Sequence, residues 1–145
     1  MTIEILKPVA VLIAWSLVML VWMVVVRLPA MKKAGIDINK AVGGRPGQLD
    51  GVVDDKAQWA AHNYIHLMEQ PTLFYAVALL LAFTGMGDGL NATLAWGYVA
   101  IRIAHSLLQA TTNIIRYRFA LFALSSLCLI ALSLHAVIGV FALRG

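Results

Sequence analysis

Charged side chains are scarce in this sequence, because only 12% of its 145 residues are Asp, Glu, Lys or Arg and 61% are hydrophobic. A water-soluble domain of this length needs far more polar surface to cover its core. The low charge and the mean hydropathy of +0.84 therefore exclude a soluble protein and predict an integral protein of the lipid bilayer. The length leaves room for one domain, and we find no internal repeat or low-complexity tract.

Cysteine is almost missing, since Cys128 is the single one. One cysteine excludes a disulfide within the chain, and its position in an apolar stretch indicates a small buried side chain rather than a reactive thiol. Acidic residues are also few, with 7 Asp and Glu against 11 Lys and Arg. We interpret the resulting net charge of +4 as membrane topology and contact with anionic lipid, so that no nucleic-acid partner is expected.

Alternating polar and apolar residues, the pattern of a transmembrane barrel of strands, are missing too. Four apolar runs are instead each long enough to cross a bilayer as an α-helix, which takes about 20 residues. No cleavage motif follows the first run and basic residues close it, so we keep it as a helix rather than a signal peptide. The sequence predicts an all-α, antiparallel, up-down four-helix membrane bundle with helices at about 8–27, 57–83, 90–111 and 118–143.

The connections between these helices differ in length and charge. Helices 2 and 3 are joined by the glycine turn TGMGDG, helices 3 and 4 by the short TNIIRYR, and helices 1 and 2 by the long polar loop 28–56. Basic residues concentrate on the side of the long loop: Arg27, Lys32, Lys33, Lys40, Arg45, Lys56, Arg116 and Arg118, against Lys7 and Arg144 on the other side. Because basic loops stay in the cytoplasm, we expect the long loop there and both termini outside.

Polar residues inside the apolar runs gather on two helix faces. They are His62, His66 and Glu69 on helix 2, with spacing i, i+4, i+7, and Arg102, His105 and Gln109 on helix 3, with spacing i, i+3, i+7. At a rise of about 1.5 Å per residue, Glu69 and Arg102 reach similar depths, so a buried ion pair between them is predicted. Such a pair can have a purely structural role, and any one histidine can simply bond a neighbouring helix.

The remaining polar residues extend this group toward the cytoplasm. The whole set predicts a polar cavity open to that side, bounded by Arg27, Asn63, His66, His105, Gln109 and Arg118. An intramembrane polar cluster is a functional-site candidate. Arg118 lies in the first turn of helix 4, where the helix dipole is positive, and this combination stabilises an anion such as a thiolate.

Three segments together resemble the MAPEG family, the membrane-associated proteins in eicosanoid and glutathione metabolism, in its small bacterial form. They are NYIHLMEQPTLFY from Asn63, RIAHSLLQ from Arg102, and Asn113 followed by Arg118 and Phe119. The order and spacing of the segments, with the long first loop and the short hairpin, extend the resemblance over essentially the whole chain.

The resemblance implies a homotrimer that binds glutathione as co-substrate between subunits near the cytoplasmic face, in a bacterial inner membrane. It implies that Arg118 is catalytic and holds the thiolate, that Arg27 reaches a glutathione carboxylate, and that Glu69 binds the peptide. Arg102 and His105 would line the same pocket, and Asn63, His66 and Gln109 complete the candidate cofactor-binding set. The implied activity is that of a transferase or peroxidase acting on a lipophilic small-molecule electrophile that arrives through the bilayer.

The sequence departs from the family pattern at four positions. Glutathione-using members usually have arginine and asparagine where this chain has His62 and His66, often tyrosine at the place of Gln109, and sometimes serine at that of Phe119. These differences favour a second interpretation, a non-catalytic MAPEG-fold subunit or small-molecule-binding protein. A third is a metal or proton site built on the helix 2 histidines and Glu69, but a cation close to Arg102 is disfavoured, so we predict no metal ligands.

Overall fold

The protein is described here by a computed structural model that covers residues 1–45 and 47–142. Within these ranges the chain is all-α, and its four helices are α1 (Leu6–Lys33), α2 (Asp55–Phe83), α3 (Gly89–Thr111) and α4 (Ile115–Ala142). The prediction of an all-α four-helix protein is thus confirmed. The predicted end of helix 4 at residue 143, and Arg144 in the charge count, lie outside the described residues.

Two helices extend into the polar segments that flank the apolar runs. α1 continues through Arg27 and Pro29 to Lys33, and its last turn carries Lys32 and Lys33. Basic residues at a helix C-terminus interact favourably with the negative end of the helix dipole, so this polar turn stays helical. α4 begins at Ile115, which places Arg118 at the end of its first turn.

Three of the helices, α1, α2 and α4, are long and apolar enough to cross a membrane, and the chain is therefore an integral membrane protein. α3 has 23 residues and falls below that hydropathy, because its buried face carries polar residues: Asn91, Arg102, His105, Ser106 and Gln109. Its neighbours cover this face, since α3 packs against all three other helices. That α3 also crosses the membrane stays a prediction.

One end of the bundle is closed by the N-terminal segment, which is bonded to the turn between α2 and α3. The Thr2 amide donates to the Ala82 carbonyl at 3.1 Å, and the Ile5 amide donates to the Gly87 carbonyl at 2.9 Å. The Gly87 amide in turn donates to Thr2 Oγ1 at 2.7 Å. A side chain at Gly87 would not fit, since its Cβ would lie 2.5 Å from Thr2 Oγ1.

The middle of the bundle is held by aromatic stacking and a short hydrogen-bond chain. The fully buried rings of Phe74 on α2 and Tyr98 on α3 stack with centroids 4.4 Å apart. The Tyr98 hydroxyl donates to Gln70 Oε1 at 3.3 Å, and Gln70 Nε2 donates to Ser126 Oγ on α4 at 2.8 Å. These contacts fix three helices relative to one another directly beside the polar residues of α2 and α3.

Candidate functional site

A cavity opens at the end of the bundle opposite the N-terminal closure, between α2, α3 and the start of α4. Its volume is about 360 Å³, and it is lined by His66, His105, Ile115, Arg118, Phe119 and Phe122. Three of the predicted site residues, His66, His105 and Arg118, thus meet in one cavity. The lining combines two imidazoles and one guanidinium with apolar and aromatic surface, which suits a ligand with one charged and one apolar part.

Arg102 lies behind this cavity with its side chain entirely buried, at 0% exposure. Its Nη2 donates to the backbone carbonyl of His66 at 3.0 Å. Within the described residues, Nε and Nη1 have no hydrogen-bond partner. A buried guanidinium with one carbonyl and no carboxylate is electrostatically uncompensated, at a cost of several kcal/mol. The Arg102 guanidinium therefore has hydrogen-bonding capacity that the described residues do not fill.

Glu69 does not neutralise Arg102, so the predicted ion pair between them is wrong. The Glu69 carboxylate accepts a hydrogen bond from His66 Nδ1 at 2.8 Å, and its side chain is 61% exposed. The Arg102 guanidinium reaches the α2 backbone, whereas the Glu69 side chain projects from the outer surface of that helix. Depth can be counted along a sequence, whereas the rotation of two helices relative to each other depends on packing.

The two cavity histidines lie side by side. The ring centroids of His66 and His105 are 5.0 Å apart, and the Phe122 ring lies 5.7 Å from that of His66. His105 is buried, while His66 is half-buried at the cavity wall. Because Glu69 engages Nδ1 of His66, Nε2 is the ring nitrogen left for a molecule in the cavity.

Arg118 is held in the cavity wall by the turn between α3 and α4. Its Nη1 donates to Asn113 Oδ1 at 2.6 Å, and its buried Nε has no partner among the described residues. Asn113 has a left-handed backbone with φ of 53°, which asparagine tolerates better than most residues. Asn113 thus both shapes the turn and orients the guanidinium.

Asn63 and Gln109 are buried but lie outside the cavity lining. Asn63 Nδ2 and Oδ1 and Gln109 Oε1 have no hydrogen-bond partner within the described part of the chain. Each buried polar group left unpaired costs about 1–3 kcal/mol, and native proteins rarely leave such groups unsatisfied. Together with Arg102, they form a buried polar cluster on α2 and α3 whose hydrogen-bonding capacity the described residues leave partly unfilled.

Arg27 lines a different cavity from the other predicted site residues. It borders a separate cavity of about 210 Å³ between the end of α1 and the long loop, shared with Met31 and Arg45 among others. Its Nε is buried without a partner in the described ranges. Arg27 therefore belongs to the same end of the molecule as Arg118 but not to the same cavity.

The two histidines of helix 2, His62 and His66, have different neighbours. Residues 1–45 and 47–142 contain no group of three or more His, Cys, Asp or Glu side chains that could hold a metal ion. His62 lies 3.6 Å from Asp50 of the long loop. Asp50 also accepts a hydrogen bond from Gln58 Nε2 at 2.9 Å, so His62 belongs to the contact between loop and helix.

Two wall residues, Ile115 and Phe122, were missed by the sequence interpretation, as was the contact by which Asn113, outside the lining, orients Arg118. Ile115 and Phe122 stand three residues before and four residues after Arg118 on α4, so they share its helix face. That periodicity was available in the sequence, but apolar residues of a membrane helix offer no signal that separates a cavity wall from a lipid contact. Asn113 had such a signal, because asparagine in a short turn between helices favours a left-handed backbone.

The fold and the site define a class of protein, a four-helix membrane bundle with buried unpaired arginine beside a half-apolar cavity. The sequence model of the MAPEG family matches residues 5–138, so the chain belongs to the MAPEG family. Comparison with curated proteins and with solved structures gave no match. The family includes glutathione transferases and peroxidases as well as non-catalytic members, and its members commonly use glutathione.

Proposed function

We propose that this protein is a membrane-bound, glutathione-dependent transferase or peroxidase acting on a lipophilic electrophile. The observation that carries the proposal is the fully buried Arg102, whose guanidinium has a single backbone partner. A buried cation with so few partners attracts an anion, because an unpaired buried charge opposes folding. Glutathione is such an anion, with two carboxylates.

The unpaired groups around Arg102 suit the rest of a tripeptide. Arg102 Nε and Nη1 and Asn63 Nδ2 are donors, while Asn63 Oδ1 and Gln109 Oε1 are acceptors, and none has a partner in the described residues. Glutathione presents carboxylate and amide oxygens together with amide N–H groups, which are complementary to this mixed set. The residues present therefore fit glutathione as co-substrate.

Arg118 is the group that we assign to the thiol. It lies in the first turn of α4 and lines the cavity. A guanidinium beside the positive end of a helix dipole stabilises a thiolate, which is the nucleophilic form of sulfur. Phe119 and Phe122 of the same wall supply apolar surface for a lipophilic electrophile.

The exposed carboxylate of Glu69 supports a homotrimer in the membrane. Glu69 is 61% exposed in the single chain, although it lies within a helix that is apolar enough to span a bilayer. A carboxylate facing hydrocarbon costs roughly 2.5–3.5 kcal/mol or more, so a second copy of the chain is a better neighbour than lipid. We place the assembly in a bacterial inner membrane, with the long loop in the cytoplasm and both termini outside.

The test is glutathione binding by the purified protein in mild detergent, measured calorimetrically. Arg118→Ala is expected to lose most of the affinity, whereas Arg116→Ala, an equal loss of charge on the exposed surface of α4, is expected to keep it. Wild-type protein that binds no glutathione would contradict the proposal.

A second candidate is a non-catalytic MAPEG-fold subunit that binds a small molecule. It is favoured by Phe119, which lines the cavity at a position where a hydroxyl side chain occurs in some glutathione-using members. Glutathione binding without conjugation of any electrophile, or reduction of any hydroperoxide, would select this candidate over the enzyme.

A further inference from the structure

We propose that His66 is the catalytic proton acceptor for the bound thiol and that Glu69 is its positioning residue. The inference rests on the proposed function, because it concerns the same cavity and the same co-substrate. It goes further by assigning the proton transfer to a carboxylate–imidazole pair on α2, separate from the arginine that holds the sulfur.

The geometry of the pair is that of an oriented general base. His66 Nδ1 and Glu69 Oε2 are 2.8 Å apart. Since an ionised carboxylate only accepts hydrogen bonds, Nδ1 carries the proton, and Nε2 is left with a free electron pair. The imidazole lines the same 360 Å³ cavity as Arg118, so a thiol bound there meets both residues.

Of the charged groups around His66, the Glu69 carboxylate favours an imidazolium, whereas the two arginines oppose it. Charged groups facing it are Glu69 on α2, Arg102 on α3 and Arg118 on α4. When the proton moves from sulfur to Nε2, the new imidazolium lies beside the Glu69 carboxylate and the new thiolate beside Arg118. Each charge that the transfer creates therefore has an opposite charge next to it.

His105, the other titratable group facing His66, is less suited to this role. Its ring lies 5.0 Å from that of His66 in the same cavity. Within the described residues it has no ion-pair contact with a carboxylate, and it is buried close to Arg102. An imidazolium at His105 would thus face two arginines without compensation.

The step balances without an added oxidant or reductant. The S–H bond breaks, its electron pair stays on sulfur, and its proton goes to His66 Nε2. The thiolate then forms an S–C bond to the electrophilic carbon of a lipophilic α,β-unsaturated carbonyl compound. The resulting enolate takes the proton back from His66, which regenerates the neutral imidazole.

The experiment follows bound thiolate directly, by its ultraviolet absorbance, as pH is varied with glutathione and without electrophile. His66→Gln keeps a hydrogen-bonding side chain but accepts no proton. We expect it to bind glutathione, to need higher pH to form thiolate, and to conjugate an unsaturated ketone about 100-fold more slowly near neutral pH. Glu69→Gln should shift the thiolate titration in the same direction by a smaller amount, with the change in kcat rather than in KM.

The matched control is His62→Gln, on the same helix one turn earlier, where the imidazole contacts Asp50 outside the cavity. Glutathione bound to His62→Gln should form thiolate over the same pH range as glutathione bound to the wild-type protein. If bound glutathione forms thiolate over the wild-type pH range in both His66→Gln and Glu69→Gln, the two residues do not take up the thiol proton. That result would leave the proposed function intact. If His66→Gln does not fold, the test rests on Glu69→Gln. An unchanged pH dependence of thiolate formation in Glu69→Gln then refutes the inference. Absence of glutathione binding by the wild-type protein refutes the proposed function and this inference with it.

Discussion

The Arg102 guanidinium donates a hydrogen bond to the backbone carbonyl of His66 at 3.0 Å, across the contact between α3 and α2. The sequence predicted that Arg102 pairs with Glu69, whereas in the structure the two side chains have different partners. Arg102 is anchored by a neutral carbonyl, while the Glu69 carboxylate is bonded to the His66 ring. The same histidine therefore contacts the Arg102 guanidinium through its backbone and the exposed Glu69 carboxylate through its side chain.

Replacing Arg102 should weaken binding without weakening the fold. Arg102→Met removes a buried charge that has no carboxylate partner and retains much of the side-chain volume. Substituting an apolar residue for a buried charge is often neutral or stabilising, by roughly 1–4 kcal/mol. We expect an unchanged or higher Tm in detergent together with loss of glutathione affinity. A clearly lower Tm would show that Arg102 is compensated in the protein and not kept for a ligand.

The hydrogen bond from Arg118 to Asn113 can be removed without disturbing the turn. Asn113→Gly preserves the left-handed backbone, which has φ of 53°, because glycine adopts it freely. Loss of one hydrogen bond to a charged group costs about 1.5 kcal/mol, which corresponds to about tenfold weaker stabilisation of the bound thiolate. The measurement is glutathione affinity at a pH where the thiolate dominates.

Thr112→Ala is the control for this variant, because its exposed side chain bonds only to the backbone of its own helix. Equal affinity of Asn113→Gly and Thr112→Ala would show that the bond to Asn113 does not orient Arg118.

Two glycines should respond to alanine with opposite signs. At Gly87 an added Cβ would lie 2.5 Å from Thr2 Oγ1 and 2.8 Å from Ile5 Cγ2, so the N-terminal closure must open. We expect Gly87→Ala to lower stability by about 1–3 kcal/mol, the usual cost of overpacking. At Gly97, inside α3, the Cβ would meet only Cys128 Sγ at 3.9 Å. Gly97→Ala should therefore raise stability by roughly 0.5–1 kcal/mol, the difference in helix propensity.

Thermal unfolding of both glycine variants in the same detergent checks this prediction. A stable Gly87→Ala protein would mean that the N-terminal segment is not packed against the turn between α2 and α3.

The exposed position of Glu69 leads to a prediction about assembly. If a second copy covers this carboxylate, the protein should have the mass of a homotrimer in mild detergent, measured by light scattering with detergent subtracted. Leu73 is exposed one turn further along α2. Leu73→Arg should disrupt the contact between subunits, because a second charge would have to lose its water there. A monomeric wild-type protein that still binds glutathione would contradict the prediction.

The fold was largely predictable, because four long apolar runs in a chain with so few charges leave little alternative to membrane helices. The helix ends were harder to predict. The apolar run ends near Arg27, which predicted the end of helix 1 there, whereas the backbone hydrogen bonds of α1 continue to Lys33. Polar residues at a membrane surface can be helical or not, and their side chains alone do not decide it.

Three of the predicted site residues line one cavity, namely His66, His105 and Arg118, but the partner of Glu69 was not predicted. Spacing along each helix placed His66 and His105 on inward faces, and both line the cavity. The partner of Glu69 depended on how α2 is rotated against α3, which is set by contacts such as the stacking of Phe74 on Tyr98. No periodicity within one helix encodes that rotation, and it is the reason that the ion pair with Arg102 was wrong.

The most direct test of the account is an experimental structure of the protein with glutathione bound in lipid or detergent. We expect the glutathione sulfur to contact the Arg118 guanidinium and His66 Nε2, and a carboxylate or amide oxygen of the tripeptide to contact Arg102. Glutathione bound away from the cavity between α2, α3 and α4, or a sulfur that contacts neither residue, would contradict it.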